Sequence, residues 1–518
     1  MEETKPQISQ VEEVEQSNHR HHMLKDLAAN EDEPQTPYQL GWRTILALLT
    51  LSMGNVCAAL TNTTNTTTKF QVATVAKSPA DAALASWIAN GNFLVVLAMG
   101  PIFGSLGDRL GKKWFLVCGA LLGVVGSVIS GSAKEITHII GGNILTGIAN
   151  AGCIVSISCI QEIMPNKLRP WAMGVSQALA SAFVVLGTFL AAAFVRDNTG
   201  GAGGWRWAYY FNGIIYGITS LSIALTYFPP PPVLRRHHVL KEIASSVDYI
   251  GILLMSGSFA SLIIGLTWGG STYAWDSKQV IATLVMGCVG LVIFGLYEGF
   301  IVREGILDHR LFQTMNFQIL LFVCTIDGML LLGVNVLYSQ QIFDLFSENA
   351  VRIAVILSPY LITSTFGCIP AGLMALVNSQ RLNWAYAFST LFGIGTAVTT
   401  TIPVVALGLS IPSFLIGTAA TVSISCRALG GIIGITTFTA IYNNKYASYV
   451  GAELAANTDA PVVVAESERA WKYVWIAVAC LVAANGIAAC FLKGVKPMMN
   501  EHVESALEDG KVREEQLA

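Results

Sequence analysis

Long apolar runs constrain this chain more than any other feature. A helix rises about 1.5 Å per residue and a bilayer core is about 30 Å thick, so roughly 20 mainly apolar residues span it. Such runs lie near 41–61, 86–107, 114–132, 137–163, 171–195 and 205–228. After a Pro-rich, basic break, "PPPPVLRRHHVLKEIASS", two more follow near 248–268 and 279–302. Five others lie near 316–340, 350–377, 382–409, 412–441 and 471–492, which makes thirteen. Only 12% of the residues are charged, against about 25% in soluble domains. The sequence therefore predicts an all-α membrane protein whose lipid-facing side chains avoid charge.

Charge and cysteine usage exclude other classes. The net charge is −3, which offers no footprint for nucleic acid. Residues 1–40 are polar and acidic and read as a disordered cytosolic tail; its "HRHH" at 19–22 reads as solvated chain rather than a metal site. The ten cysteines lie in apolar runs without CxxC spacing, so they read as helix-packing thiols. No Walker lysine motif, HExxH or GxSxG occurs, so neither ATP-driven transport nor hydrolysis is supported. The chain is expected to be no enzyme and to need no cofactor or metal.

Lys and Arg set the orientation. With the N-terminal tail in the cytosol, even-numbered runs end there, and their loops gather Arg109, Lys112, Lys113, Lys167, Arg169, Arg235 and Arg236. The opposite loops hold fewer. An odd count of runs would place Lys493 and Lys496 outside, against this trend. The expected organisation is a tail at 1–40, a six-helix bundle at 41–228, a cytosolic linker at 229–247 and two extra helices at 248–302. A second bundle at 303–492, with one helix truncated near 382–391, and a tail at 493–518 complete it.

The stretch "GSLGDRLGKK" concentrates charge between the second and third runs. Gly104 allows two helices to approach, and Gly111 permits a tight turn. Asp108 is a carboxylate at a helix end, suited to cap another helix or pair with a cation. Arg109, Lys112 and Lys113 anchor the loop in the cytosol. A faint echo, "GLMALVNSQRLNWAYA" at 372–387, follows the second run of the second half. It lacks the acid, because Leu376 stands where Asp108 does.

The pattern G-x-L-x-D-R-x-G-(K/R)-(K/R) resembles the cytosolic loop motif of the major facilitator superfamily. The stretches "GGWRWAYYFNG", "YFPPPP", "VDYIGILLMSG", "LTWGGSTYAWDSKQVIA" and "LYEGF" together resemble the fungal trichothecene efflux pump family, within the 14-helix drug:proton antiporters. This resemblance, over about 41–492, implies two six-helix bundles joined by two extra helices, with both termini cytosolic. "SCRALGGIIGITTFTAIYNNKY" looks like the thirteenth helix and "LFGIGTAVTTTIPVVALG" like the twelfth, which leaves the eleventh shortened to little more than "RLNWAYAF". Two antiporter motifs are altered: Asn143 precedes Gly147 where an arginine is usual, and Thr188 follows Gly187 where a proline is usual. The customary proton-coupling residues are therefore missing.

Other polar groups in apolar runs are candidates for a substrate or proton site. Asp327 falls near the middle of the ninth run, where an ionised carboxylate costs about 2.5–3.5 kcal/mol on insertion scales. It is the first candidate to titrate or touch substrate; the competing reading is a structural carboxyl bonded to a neighbouring helix. Arg427 either pairs with an acid or faces the cytosolic end. Glu162 and Glu298 sit near helix ends and read as structural. Asn90, Asn92, Gln177, Asn212 and Asn335 either line a cavity for a neutral, polyoxygenated ligand or join helices. Asn62 and Asn65 head Asn-Thr-Thr sequons, which makes them possible glycosylation sites.

The resemblance implies a secondary transporter, an efflux pump exporting a small amphipathic secondary metabolite or self-made toxin from a fungal cell. The proton is its implied co-substrate and the plasma membrane its implied location, with a vacuolar or vesicle membrane as the alternative; it is expected to act as a monomer. Two other readings are import of a siderophore–iron complex and a non-transporting sensor or inactive paralogue.

Overall fold

The computed structural model describes residues 40–72, 87–196, 203–229, 248–269, 273–301, 311–312, 314–346, 349–363, 389, 400–411, 415–453 and 460–492. These residues are almost wholly helical. The helices are α1 Trp42–Val72, α2 Trp87–Leu110, α3 Lys112–Ser132, α4 Ile136–Ile163, α5 Arg169–Arg196 and α6 Trp205–Thr226. Then come α7 Tyr249–Trp268, α8 Lys278–Leu296, α9 Met315–Leu345, α10 Ala350–Thr363, α11 Thr400–Ser410, α12 Ile416–Glu453 and α13 Ala460–Cys490. Among the described residues, ten helices are long and apolar enough to cross a membrane. Helix α6 is not one of them, because its inward face carries Asn212, Thr219 and Ser220.

Within the first half, α1 packs on α4, α5 and α6, and α3 on α4 and α6. In the second half α12 is the hub, packing on both α9 and α13. The two halves meet where α12 lies against α2 and α4, and where α5 meets α10. One apolar cluster runs through that meeting, joining Leu51, Phe93, Val96 and Ile157 to Val404, Ile424 and Ile432. Helices α7 and α8 form a hairpin laid on α2 through Ile102, Met255 and Phe294. Leu253, Met286 and Phe300 of this hairpin point away from the protein, an apolar face suited to lipid.

Helix α9 is interrupted by a π-helical turn, Met329–Gly333, of the kind often found at functional positions. Here α9 and α12 come unusually close. A Cβ on Gly328 would strike the Arg427 carbonyl, and one on Gly430 would strike the Thr325 carbonyl. Only glycine lets these two backbones meet.

The structure extends α1 well past the apolar run at 41–61. Thr61, Thr63, Thr66 and Thr68 each donate to the carbonyl four residues earlier. This back-bonding satisfies the hydroxyls within the helix. Helix α12 likewise outruns its expected end at 441. The shortening expected near 382–391 lies outside the described residues except for Ser389, and so do the echo at 372–387 and both tails.

Candidate functional site

A cavity of about 180 Å³ lies between the two halves. The first half lines it from α1 (Asn55, Asn62, Thr66), α2 (Asn92, Phe93), α4 (Asn150, Ile154) and α5 (Gln177, Ser181). The second half contributes Leu331 and Asn335 from α9, Tyr360 from α10, Thr400 from α11, and Ile424 and Arg427 from α12. The surface is thus an apolar ground with scattered amides and hydroxyls, and Arg427 is the charged side chain on it. Asn55 Nδ2 reaches both Ser176 Oγ and Gln177 Oε1 at 3.5 Å, which ties α1 to α5 beside the cavity.

Behind Arg427 sits Asp327, with no exposed surface. Arg427 Nε lies 2.8 Å from Asp327 Oδ2, and Arg427 Nη2 donates to the Thr400 carbonyl at 2.9 Å. Thr400 Oγ1 donates to Asp327 Oδ1 at 3.0 Å. The ion pair and the two hydrogen bonds close a ring across α9, α11 and α12. A lone carboxylate here would bear the full cost of desolvation; the guanidinium and hydroxyl offset that cost. The π turn and the glycine contacts bring the helices close enough for the ring to form.

Beside the cavity, the first half links several buried polar groups into a neutral hydrogen-bonded network. Asn92 Nδ2 donates to Thr146 Oγ1 at 3.3 Å, and Asn150 Nδ2 donates to Asn92 Oδ1 at 3.1 Å. Tyr216 donates its hydroxyl proton to Asn150 Oδ1. Thr61 Oγ1 is 2.9 Å from the Tyr216 hydroxyl and accepts from Asn212 Nδ2 at 2.9 Å. The chain links α1, α2, α4 and α6. Asn143 is fully buried, its carbonyl receiving Asn92 Nδ2 at 3.4 Å. Gly187 packs against Leu60, where an added Cβ would collide.

At the end of the bundle that carries residues 104–113, the halves are fastened together. Asp108 Oδ2 accepts from both Thr418 N and Thr418 Oγ1 at 2.8 Å, which caps the start of α12. The carboxylate also meets the positive end of the helix dipole there. Lys112 Nζ lies 2.7 Å from Asp108 Oδ1 and also binds Glu162. Gly104 leaves room for Thr421 of α12, and Gly111 takes a φ of 104°, which only glycine adopts without strain. Lys113 places its ammonium 3.3 Å from the centroid of the Phe228 ring. A second fastening holds α11: Gln161 Nε2 donates to the Val404 carbonyl and Arg169 Nη1 to the Gly408 carbonyl, each at 3.0 Å.

Several sequence candidates thus converge and others do not. Gln177, Asn335 and Arg427 line the cavity, whereas Asp327 stands behind Arg427 without reaching it. Asn212 joins α6 to α1 and does not line the cavity, so its role is that of a helix tie. Both sequons turn inward, because α1 remains helical there. Asn65 is 1% exposed and accepts from Tyr209, while Asn62 lines the cavity. The side chains of Asn90 and Arg109 lie outside the described residues. Asn55, Asn150, Tyr360 and Thr400 were not singled out from sequence. Of these only Thr400 carried a usable signal, in the polar run "TAVTTT" of an apolar segment.

Similar proteins agree with this geometry. The family model described as fungal trichothecene efflux pump matches residues 9–369. The MFS-type transporter ucsD of an Acremonium species is 28% identical over 391 residues, 69% of this chain and 64% of that relative. The chain therefore spans less than two thirds of this relative's length. The efflux pump FUS6 of Gibberella fujikuroi is 24% identical over 445 residues, 80% of this chain and 78% of the relative. Among solved structures, the major facilitator superfamily proton:xylose symporter XylE superposes with a TM-score of 0.56 at 14% identity, covering 91% of this chain and 98% of the symporter. That superposition identifies the fold, two helical bundles around a central cavity, and nothing about substrate. With the family model covering well over half of its length, the chain belongs to the fungal trichothecene efflux pump family of the major facilitator superfamily.

Proposed function

We propose that this chain exports a small amphipathic organic metabolite from a fungal cell by alternating access. The observation that carries this reading is the cavity between the halves, fastened at one end by Asp108 and Thr418, in a chain of an efflux-pump family. The fastened end is the cytosolic one by the Lys and Arg distribution. A ligand entering from the cytosol when those contacts open would leave by the opposite end when they close. The proton gradient is the energy source, the protein acts as a monomer, and the plasma membrane is its site.

The test is a deletion strain paired with inside-out plasma-membrane vesicles carrying the protein. The strain is expected to retain its own metabolite and to become sensitive to it. Vesicles are expected to take up that metabolite when a proton gradient is imposed and to stop when a protonophore is added. Normal secretion by the deletion strain together with vesicles that take up nothing would reject export. Uptake that persists after the protonophore would reject proton coupling alone.

A further inference from the structure

Among the described residues, only part of the donor fork of Arg427 is taken up. Nε holds Asp327, and Nη2 gives one hydrogen to the Thr400 carbonyl. A guanidinium carries five N–H donors in a rigid fork, and among the described residues the two hydrogens of Nη1 and the second of Nη2 meet no oxygen partner. The buried Cys324 thiol, a weak partner, also lies against this side chain. Because Arg427 lines the cavity while Asp327 stays behind it, a ligand meets a donor edge whose charge is already balanced.

We propose that Arg427 is the specificity-determining residue of this cavity, seating an uncharged carbonyl oxygen of the ligand, and that Asp327 is its positioning residue. The proposal rests on the reading of this cavity as the ligand site. A carboxylate on the ligand would set a second anion beside the one cation that Asp327 already neutralises, far from bulk water. An ammonium would lie beside a guanidinium with no carboxylate facing it. A ketone, ester or lactone oxygen accepts the remaining donors and adds no charge. The amides of Asn55, Asn62, Gln177 and Asn335 are placed for further oxygens of the same ligand, and Phe93, Ile154 and Leu331 for its carbon skeleton.

Two fluorescent probes of one skeleton test this: ethyl pyrene-1-carboxylate and pyrene-1-carboxylic acid, which differ in whether their one carbonyl group is neutral or ionised. Their affinities are measured by equilibrium dialysis against the full chain in phosphatidylcholine nanodiscs, with empty nanodiscs as the blank. The ester is expected to bind roughly tenfold or more tightly than the acid, because the acid must desolvate an anion beside a cation that Asp327 already neutralises. In Asp327→Asn the guanidinium charge is unbalanced, so the preference should reverse toward the acid. A merely structural role for Asp327 would weaken both probes alike and leave their ratio unchanged. Should Asp327→Asn fail to fold, the charge-free pair Asp327→Asn with Arg427→Gln replaces it and should lose the preference for the ester. Equal or tighter binding of the acid to the parent protein, an unchanged ratio in the variants, or no binding of either probe overturns the proposal. Movement of the ester is followed separately in vesicles. An ester that binds selectively but is not moved counts against export and leaves the carbonyl site standing; ester and acid moved alike do the reverse.

Discussion

On the first-half wall of the cavity, polarity is carried by neutral groups chained through Asn92, Asn150, Tyr216 and Thr61. On the second-half wall it is concentrated in one ion pair, Asp327 with Arg427, steadied by Thr400. Each member of the neutral chain gives up only a modest interaction if its neighbour is lost, and Asn92 and Asn150 border the cavity, where water can take the neighbour's place. The ion pair has no such reserve, because Asp327 has no exposed surface. The same fold thus holds a tolerant wall against a brittle one, and the brittle wall carries the charge that a ligand meets.

The largest expected effect follows from breaking the brittle wall. Arg427→Gln leaves Asp327 buried without its cation, at a cost of about 3–5 kcal/mol. It should sharply lower the yield of folded protein and the unfolding temperature in detergent. Adding Asp327→Asn to Arg427→Gln should recover most of that loss, because no uncompensated charge remains. If the double variant is no more stable than the single, the pair is not what holds α9 to α12.

The tolerant wall predicts a smaller effect. Tyr216→Phe removes the donor to Asn150 Oδ1 and the contact with Thr61, and it should cost about 1–2 kcal/mol. The unfolding temperature should fall by only a few degrees and the yield should hold. A loss as large as that of Arg427→Gln would show that the two walls do not differ in the way proposed.

How much of this was readable from residue order depends on the separation of the partners. The 104–113 motif was legible because its glycines, acid and cations act within one loop: Gly111 takes a positive φ and Asp108 caps a helix, while the pairing of Lys112 with Asp108 and Glu162 was not foreseen. Arg427 and Asp327 were each conspicuous as charges in apolar runs. Their pairing was not legible, because it joins helices a hundred residues apart and depends on glycines whose use appears only when two backbones meet. The surroundings of Asn62 and Asn65 were not legible for a different reason. The sequon is a local pattern, but which way it faces depends on whether the helix ends before it, and α1 runs on to Val72. Asn150 gave no signal, since an amide in a buried helix looks the same whether it borders a cavity or a neighbour.

Helix α12 belongs to both sides of the comparison, since its middle carries Arg427 and its first turn is held by Asp108 from the other half. This makes Asp108→Asn the mildest and most selective perturbation. Asparagine caps a helix about as well as aspartate, so the bond from Thr418 N should survive. Lys112 keeps Glu162 as a partner. The cost to folding should therefore stay below about 1 kcal/mol, within the range of a helix-dipole charge effect. Because the contact joins the halves only while this end is shut, the same energy acts on the balance between shut and open states. Roughly 1 kcal/mol shifts that balance about fivefold. The readout is a single thiol, Ala428→Cys on the cavity wall, placed in a background with the native cysteines replaced. A membrane-impermeant thiol reagent applied from the cytosolic side should react faster in Asp108→Asn than in the parent, by up to about fivefold. An unchanged rate with an unchanged unfolding temperature would mean that Asp108 merely finishes a helix end, and that the fastening rests on Arg169 and Gln161 at α11.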